Sequence, residues 1–290
     1  MAIIKIKEEF INKIIIPRKK DSRKGQNGVI GVIGGSRLYH GAPALSAIAS
    51  LRSGIDLAYV FAPKIISDSL RAISPDLIIY PLPDSKLTIG NVNKILHSNL
   101  KIDTFVIGPG MSKQNMKGLI KLCNELISKN INIVLDADAI NLDLIKTLNR
   151  DSSSIGQVVL TPHLGEFERI SGMHPKSESE KIDAVKNFAE KYHLTILLKG
   201  KIDYITNGKL IAENLTGNAA MTKGGTGDIL SGMVGAHMAL GYSAFYAACI
   251  SAYVLGKTGE KTYDKYGFQM LGSDILNELP ETMLKYNKII

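Results

Sequence analysis

The sequence predicts an α/β fold with a mainly parallel central sheet and helices on both faces. Three observations support this prediction. Short apolar, β-branched runs alternate with segments of helical periodicity along most of the chain. Several of these runs are apolar throughout, which is typical of strands buried on both faces. Glycine or polar clusters follow them directly, as expected at the ligand-binding edge of such a sheet.

The elements can be assigned in chain order. Residues 1–24 form an amino-terminal lead, predicted to be a short helix or a strand followed by a helix. It closes at Pro17 and a basic run. The predicted strands are 29–33, 57–62, 77–80, 104–107, 131–135, 158–160, 195–198, 204–206 and 210–213, the last two joined by the hairpin signal Asn207-Gly208. The predicted helices are 42–52, 64–73, 88–97, 115–129, 182–192, 229–240, 244–262 and 272–285. We expect residues 1–290 to form a single domain.

Composition narrows the function classes. An apolar content of 45% in 290 residues is ample for a packed core. The net charge of +8 would suit nucleic acid or an anionic small molecule. The lysines are scattered, Trp is absent, and neither zinc-finger spacing nor an RNA-binding aromatic signature is present, so phosphate-bearing metabolites are the better prediction.

Cellular location is predicted from what the sequence lacks. Cys123 and Cys249 match no metal, redox or disulfide pattern, which fits a reducing cytosol. The first residues carry scattered charges, unlike a signal peptide. The apolar stretch 241–256 is shorter than a membrane span. We expect a cytoplasmic protein without membrane or nucleic-acid partners.

The loop Gly224-Gly225-Thr226-Gly227 and the following Asp228 form the main functional motif. Glycines bring backbone N–H groups close to a ligand, and a helix N-terminus favours an anion, so this loop predicts a phosphate cradle. A carboxylate repels phosphate, and its most economical role is to take a proton from a hydroxyl that attacks the phosphate. The alternative is that Asp228 only complements the helix dipole.

A second glycine turn, Gly34-Gly35-Ser36, follows the first predicted strand of the alternating series. It resembles a dinucleotide-binding turn, but the G-x-G-x-x-G pattern and the acidic residue expected beyond it are absent. This argues against a hydride-transfer enzyme. The following loop, 39–43, is either a wall whose small residues admit a bulky ligand or an ordinary helix entry.

Other strand ends supply polar groups with two interpretations each. Glu166, Asp136 and Asp138 either hold Mg²⁺, largely through water, or serve at helix starts. His163 either binds a ligand or satisfies its neighbours. Lys199 either meets a nucleotide phosphate or extends from a strand end toward solvent.

Four motifs, in this order, closely resemble the ADP- or ATP-dependent NAD(P)H-hydrate dehydratases, which belong to the ribokinase-like superfamily. They are Gly34-Gly-Ser36-x-x-Tyr39-x-Gly-Ala42-Pro, Leu-Asp136-Ala-Asp138-Ala-Ile-Asn141, Thr-Pro-His163-Leu-Gly-Glu166 and Gly-Gly-Thr-Gly-Asp228. The similarity spans about residues 25–279. It implies a three-layer sandwich and a repair reaction, in which ADP or ATP phosphorylates the hydroxyl of hydrated NADH or NADPH and phosphate is then lost.

The resemblance assigns expected roles to named residues. Asp228 would be the base, and the backbone of Gly224, Gly225, Thr226 and Gly227 would form the anion hole. Ala42, Gly110, His163 and Asp228 would contact the hydrated dinucleotide, while Lys199, Gly200, Lys201, Ile202, Asp203 and Gly227 would contact the nucleotide. Glu166 would bind Mg²⁺.

The chain departs from the family pattern in three places. His163 replaces the Asn of an N-x-x-E element associated with magnesium, Asn218-Ala-Ala-Met replaces Asn-Pro-Gly-Met, and Ser53-Gly-Ile-Asp56 replaces Ala-Gly-Ala-Gly. Many relatives also carry an amino-terminal epimerase domain, for which this chain has no room. We therefore expect a separate NAD(P)H-hydrate epimerase as functional partner, and a homo-oligomer, with a tetramer as one form.

Two other functions fit the same motifs. A ribokinase-like kinase of a vitamin alcohol would use Asp228 but release a phosphorylated product. A nucleotide-binding regulator without turnover would keep its function when Asp228 is replaced by Asn.

Overall fold

The computed structural model describes residues 3–112, 115–148 and 157–290. Its centre is one ten-stranded sheet. The strands are β1 (Ile4–Lys5), β2 (Val29–Ile33), β3 (Leu57–Pro63), β4 (Ile78–Leu82), β5 (Thr104–Ile107), β6 (Asn132–Leu135), β7 (Val158–Leu160), β8 (Thr195–Leu198), β9 (Asp203–Thr206) and β10 (Ile211–Asn214). Their spatial order is β1-β10-β9-β8-β7-β6-β5-β2-β3-β4. β9 is antiparallel to β8 and β10, and the other neighbours are parallel.

Helices cover both faces of the sheet. They are α1 (Glu8–Ile14), α2 (Ala42–Arg52), α3 (Lys64–Ile73), α4 (Ile89–Leu96), α5 (Met116–Ser128), α6 (Leu142–Thr147), α7 (Leu164–Ser171), α8 (Glu178–Tyr192), α9 (Thr226–Ala239), α10 (Ala244–Tyr266) and α11 (Gly272–Leu284). Helices α4 to α8 pack on one face and the others on the opposite face. Successive strand side chains alternate between the two cores, as Phe105 and Val106 do. The predicted three-layer sandwich is confirmed.

Several element boundaries differ from those predicted. The lead is a strand and a helix, and β1 pairs with β10. Helices α6 and α7 were not predicted because six and eight residues span too few turns for a clear helical period. Helix α9 begins at Thr226 rather than residue 229, since glycines hide its first turn from an apolar pattern. The single-domain prediction for residues 1–290 stays a prediction.

A helix that crosses a membrane must be both long and apolar. Within the described ranges, no helix combines the length and the apolar character needed to cross a bilayer.

The predicted ligand residues lie at one edge of the sheet. Strands β8, β7, β6, β5 and β2 are adjacent and parallel, so their carboxyl ends share that edge. The residues that follow them are Lys199, Thr161 to His163, Asp136, Gly108 to Gly110 and Gly34 to Ser36.

Candidate active site

The N-terminus of α9 presents free backbone donors. Its N-cap, Gly225, has φ = 100°, a left-handed conformation that glycine adopts without strain. The N–H groups of Gly224, Gly225, Gly227 and Asp228 donate to no residue in the described part of the chain. The Thr226 N–H makes a long bond of 3.4 Å to the Lys223 carbonyl. Three of the four predicted anion-hole residues therefore have an unused amide.

Asp228 lies in the first turn of α9, half-buried. No described residue donates a hydrogen bond to its carboxyl group. Burial, followed by the nearby carboxylate of Asp136, raises the pKa of Asp228 to about 7, while the Lys199 ammonium acts in the opposite direction. A carboxylate with such a pKa can hold or release a proton at neutral pH, which suits a general base.

Asp136, at the end of β6, is held firmly. The residue is 2% exposed, and its Oδ1 accepts hydrogen bonds from Thr161 Oγ1 at 2.8 Å and from Lys199 Nζ at 3.1 Å. Neither the Mg²⁺-ligand interpretation nor the helix-cap interpretation of Asp136 predicted its hydrogen bonds with Thr161 and Lys199. Asp136 does precede a short 3₁₀ helix, Ala137–Ala139, but its side chain makes no cap hydrogen bond there.

Lys199 connects the strand ends with the loop before α9. Its Nζ would lie 3.4 Å from a Cβ placed on Gly227, so the ammonium sits directly beside the loop. Burial tends to lower its pKa, but Asp136, Glu166 and Asp228 together raise it above the ordinary value. Lys199 therefore stays charged beside the predicted phosphate cradle.

Backbone atoms of neighbouring segments pack tightly against the turn after β5, residues 108–110. A methyl group on Gly108 would overlap the carbonyl oxygen of Asp136. At Gly110, where φ is +66°, a methyl group would come within 2.6 Å of the Tyr39 carbonyl and 2.9 Å of the Ala42 Cβ. Gly110 and Ala42, both predicted to contact the dinucleotide, are therefore neighbours.

His163 and Glu166 cap helix α7 reciprocally. His163 Nδ1 accepts from the Glu166 N–H at 3.3 Å, and Glu166 Oε2 accepts from the His163 N–H at 2.8 Å. The side chain of His163 is nevertheless 62% exposed, which leaves its outer edge available to a ligand. The capping role was the local alternative for each residue, and it does not conflict with ligand binding.

A cavity of about 700 Å³ extends from Lys199 and Gly227 toward α10. All six predicted nucleotide residues line it, namely Lys199, Gly200, Lys201, Ile202, Asp203 and Gly227. Leu230, Ala252 and Leu255 contribute apolar walls. Its volume lies in the range of known small-molecule sites.

Sequence comparison identifies the family. The chain matches the NAD(P)H-hydrate dehydratase family over residues 30–281. It belongs to this family. A relative named ADP-dependent (S)-NAD(P)H-hydrate dehydratase, from Nitrosopumilus maritimus, is 40% identical over 283 residues, which cover 97% of each chain.

Two further members of the NAD(P)H-hydrate dehydratase family are informative. The bifunctional NAD(P)H-hydrate repair enzyme Nnr of Pyrobaculum aerophilum is 38% identical over 272 residues, 93% of this chain but 53% of that protein. The ADP/ATP-dependent NAD(P)H-hydrate dehydratase of Bacillus subtilis, co-crystallised with ATP/Mg²⁺, superposes with a TM-score of 0.84 at 24% identity, covering 99% of this chain and 100% of that one. The latter supports the fold.

Two residues that contact the candidate site, Thr161 and Asn214, were not predicted from the sequence. Thr161 positions Asp136, and Asn214 donates to Asp203 Oδ2 at 3.0 Å, while the Gly200 N–H donates to Asp203 Oδ1 at 3.1 Å. Asp203 thus shapes the loop it belongs to, and burial raises its pKa. Neither Thr161 nor Asn214 had a local signal in the sequence, whereas the reciprocal cap of α7 was detectable because Glu166 stands three residues after His163.

Proposed function

We propose that this protein is a nucleotide-dependent (S)-NAD(P)H-hydrate dehydratase that uses ADP, or ATP, to restore NADH or NADPH from the hydrated forms. The observation that carries this proposal is the position of Asp228. Its carboxyl group has no hydrogen-bond partner among the described residues and a pKa of about 7, and the residue directly follows Gly227, which has an unused amide and lines the cavity near Lys199.

The reaction balances with ADP as phosphoryl donor. Asp228 accepts the proton of the ring hydroxyl as its oxygen attacks the terminal phosphorus of ADP, and AMP leaves. The phosphorylated ring then loses phosphate and a proton, which forms the carbon–carbon double bond again. The products are NADH or NADPH, AMP and phosphate; with ATP the nucleotide product is ADP.

The groups around Asp228 would neutralise the phosphate charge and position the two substrates. The amides of Gly225 and Gly227 would hold the transferring phosphoryl group, with Gly224 and Thr226 completing the turn. Lys199 would neutralise charge on the nucleotide phosphates, and residues 200–203 would contact the rest of the nucleotide. Ala42, Gly110 and His163 would border the hydrated dinucleotide.

Mg²⁺ would bind together with the nucleotide rather than in a site built from protein side chains alone. In the described part of the chain, no group of three or more metal-ligating side chains is clustered. Mg²⁺ commonly binds through phosphates, water and one or two carboxylates, so the sparse donor set suits an ion that arrives with ADP. Glu166 would be the protein ligand nearest to it, and the ion would supply charge neutralisation.

A bifunctional relative suggests the metabolic setting of this protein. The bifunctional relative is named a repair enzyme, and the chain aligns with 53% of it. We propose that a separate NAD(P)H-hydrate epimerase supplies the S-epimer, that the protein works in the cytoplasm, and that it forms a homo-oligomer, for which a tetramer is one candidate.

One assay tests the activity. Purified protein is incubated with hydrated NADH, Mg²⁺ and either ADP or ATP, and the return of dihydronicotinamide absorbance is followed together with phosphate release. We expect one phosphate per NADH restored. A stable phosphorylated organic product would instead indicate a vitamin-alcohol kinase acting on another substrate, and absence of recovery with either nucleotide would refute the proposal.

A further inference from the structure

Two short loops form neighbouring walls of the cavity that begins at Lys199. The first loop, residues 200–203, leads into β9, the second loop, residues 215–218, follows β10, and both line the cavity. Asp203 and Asn214 are direct partners across the antiparallel strands β9 and β10, so the two loops leave the sheet side by side. Asp203 lines the cavity, whereas Asn214 lies outside its lining. The contacts of Asn214 therefore act on the walls of the cavity.

The side chain of Asn214 joins the two loops with both ends of its amide. The residue is 1% exposed. Its Nδ2 donates to Asp203 Oδ2 at 3.0 Å, and Asp203 Oδ1 accepts from the Gly200 N–H at 3.1 Å. Its Oδ1 accepts from Thr216 Oγ1 at 2.9 Å and, at 3.4 Å, from the Thr216 N–H. One buried amide thus fixes the position of the first loop relative to the second.

Glu260 anchors the second loop to helix α10. Its Oε1 accepts a hydrogen bond from the Gly217 N–H at 2.9 Å, and its Oε2 pairs with Lys257 Nζ at 2.8 Å. The side chain of Glu260 is 35% exposed and, like that of Asn214, lies outside the cavity lining. The glutamate therefore acts on the same wall from the side away from the cavity.

Helix α10 packs directly against the second loop. Thr216 Oγ1 also lies 3.1 Å from the Tyr253 carbonyl, so its proton forms a three-centre hydrogen bond with that oxygen and the Asn214 amide. A methyl group on Gly256 would come within 2.6 Å of the Thr216 carbonyl carbon, which leaves no room between helix and loop. Protein contacts therefore determine where the second loop lies.

The lining of the cavity indicates which part of a nucleotide meets these loops. Lys199 and the unused amide of Gly227 lie at the end that suits phosphates. The loops and α10 contribute apolar side chains, among them Ile202, Leu215 and Leu255. A flat base packs against such side chains, whereas charged phosphates do not. The two loops therefore border the base of the nucleotide.

We propose that Asn214 and Glu260 are positioning residues for the base of ADP or ATP. Together they hold the second loop against the first loop and α10, so that the base-binding part of the cavity is formed before the nucleotide enters. Binding then costs little ordering of the loop. The inference rests on the proposed use of ADP or ATP. Because both residues act on a wall of the cavity, their removal should change nucleotide affinity and leave the chemical step as it is.

Glu260 gives the sharper test, because it is partly exposed and its substitution should leave the protein folded. Glu260→Met removes the acceptor for the Gly217 N–H, whereas Glu260→Gln keeps one. Lys257→Gln is the matched control, since it removes the ion pair but not this hydrogen bond. We expect the ADP affinity from calorimetry to be about tenfold weaker for Glu260→Met and within about threefold of native for the other two. The KM for ADP should follow the affinity, and kcat at saturating ADP should stay unchanged.

Asn214→Ala tests the link between the two loops independently. It removes the donor to Asp203 and the acceptor for Thr216 together, so we expect ADP affinity to fall by about tenfold or more with kcat unchanged. Because Asn214 is buried, thermal unfolding is followed in parallel, and binding is measured at a temperature where the variant is folded.

Four results would overturn the proposal. They are native ADP affinity in Glu260→Met; an equal loss in Glu260→Gln; an equal loss in Lys257→Gln, which would assign the effect to surface charge; and a fall in kcat that follows the fall in melting temperature, which would indicate a purely structural role. Calorimetry needs no turnover, so failure of the native protein to restore NADH would contradict the proposed function alone. Absence of ADP binding by the native protein would contradict both.

Discussion

Gly108 and Gly224 stand in two glycine-rich turns at the same edge of the molecule, and their surroundings differ. Gly108 has φ = +129°, and a side chain there would overlap the backbone of Asp136. A Cβ placed on Gly224 would have no atom within 4 Å. The first turn therefore uses glycine to pack protein against protein, and the second leaves backbone groups open to a ligand.

The carboxylates beside these turns differ in the same way. Asp136 is fully buried and paired with Thr161 and Lys199. Asp228 is half-buried, and no described residue donates to it. The paired carboxylate supports the site, whereas the unpaired one has a raised pKa and is available for chemistry.

Substituting the two glycines should separate the two turns most clearly. Gly108→Ala should cost about 3–5 kcal/mol in the free energy of unfolding or prevent folding, because the backbone of Asp136 cannot move away easily. Gly224→Ala is the matched control, with a change below about 1 kcal/mol. Chemical denaturation measures both, and equal losses would contradict the distinction between a closed and an open turn.

Removing the positive charge of Lys199 should change both the affinity for ADP and the pKa of Asp228. Lys199→Met should weaken ADP binding by about 10- to 100-fold, the size expected for a lost charged hydrogen bond. Because Lys199 lowers the pKa of Asp228, the acid limb of kcat/KM should move to higher pH. Lys209→Met is the control and should change neither property. If Lys199→Met leaves both the acid limb of kcat/KM and the ADP affinity unchanged, Lys199 does not face the reacting groups.

Removing the negative charge of Asp136 should have the opposite effect on the pH profile of kcat/KM from removing the charge of Lys199. Asp136 raises the pKa of Asp228, so Asp136→Asn should shift the acid limb to lower pH. The stability cost should be about 1–3 kcal/mol, because Asn still accepts hydrogen bonds but no longer balances Lys199. Asp138→Asn, at an exposed position two residues on, should leave the pH profile as it was.

The last prediction concerns the pH dependence of stability. The pKa of Asp228 is about 7 in the folded protein, against an ordinary 3.8, so the folded state binds this proton more tightly than the unfolded chain. Its contribution to the free energy of unfolding is therefore lost as pH rises from about 4 to about 7. Asp228→Asn should lack this part of the decline, and identical pH profiles of stability would show that the raised pKa is wrong.

The sequence was sufficient for the layers of the fold and for most strand boundaries, because buried strands such as β2 and β5 are apolar throughout. It also predicted that Lys199, Asp136 and His163 share one edge, since strand ends of parallel sheets meet there. It could not predict the pairing of Asp136 with Lys199, because their separation along the chain carries no information about contact.

The single-turnover rate of NADH recovery by Asp228→Asn with saturating ADP decides whether this carboxylate is the base. We predict a decrease of about 10²- to 10⁴-fold relative to the native protein, with ADP affinity unchanged, because only proton transfer to the carboxylate is removed. Asp143→Asn, an exposed residue in the first turn of α6, should retain the full rate. A rate for Asp228→Asn within a few-fold of the native value would contradict the assignment of Asp228 as the base.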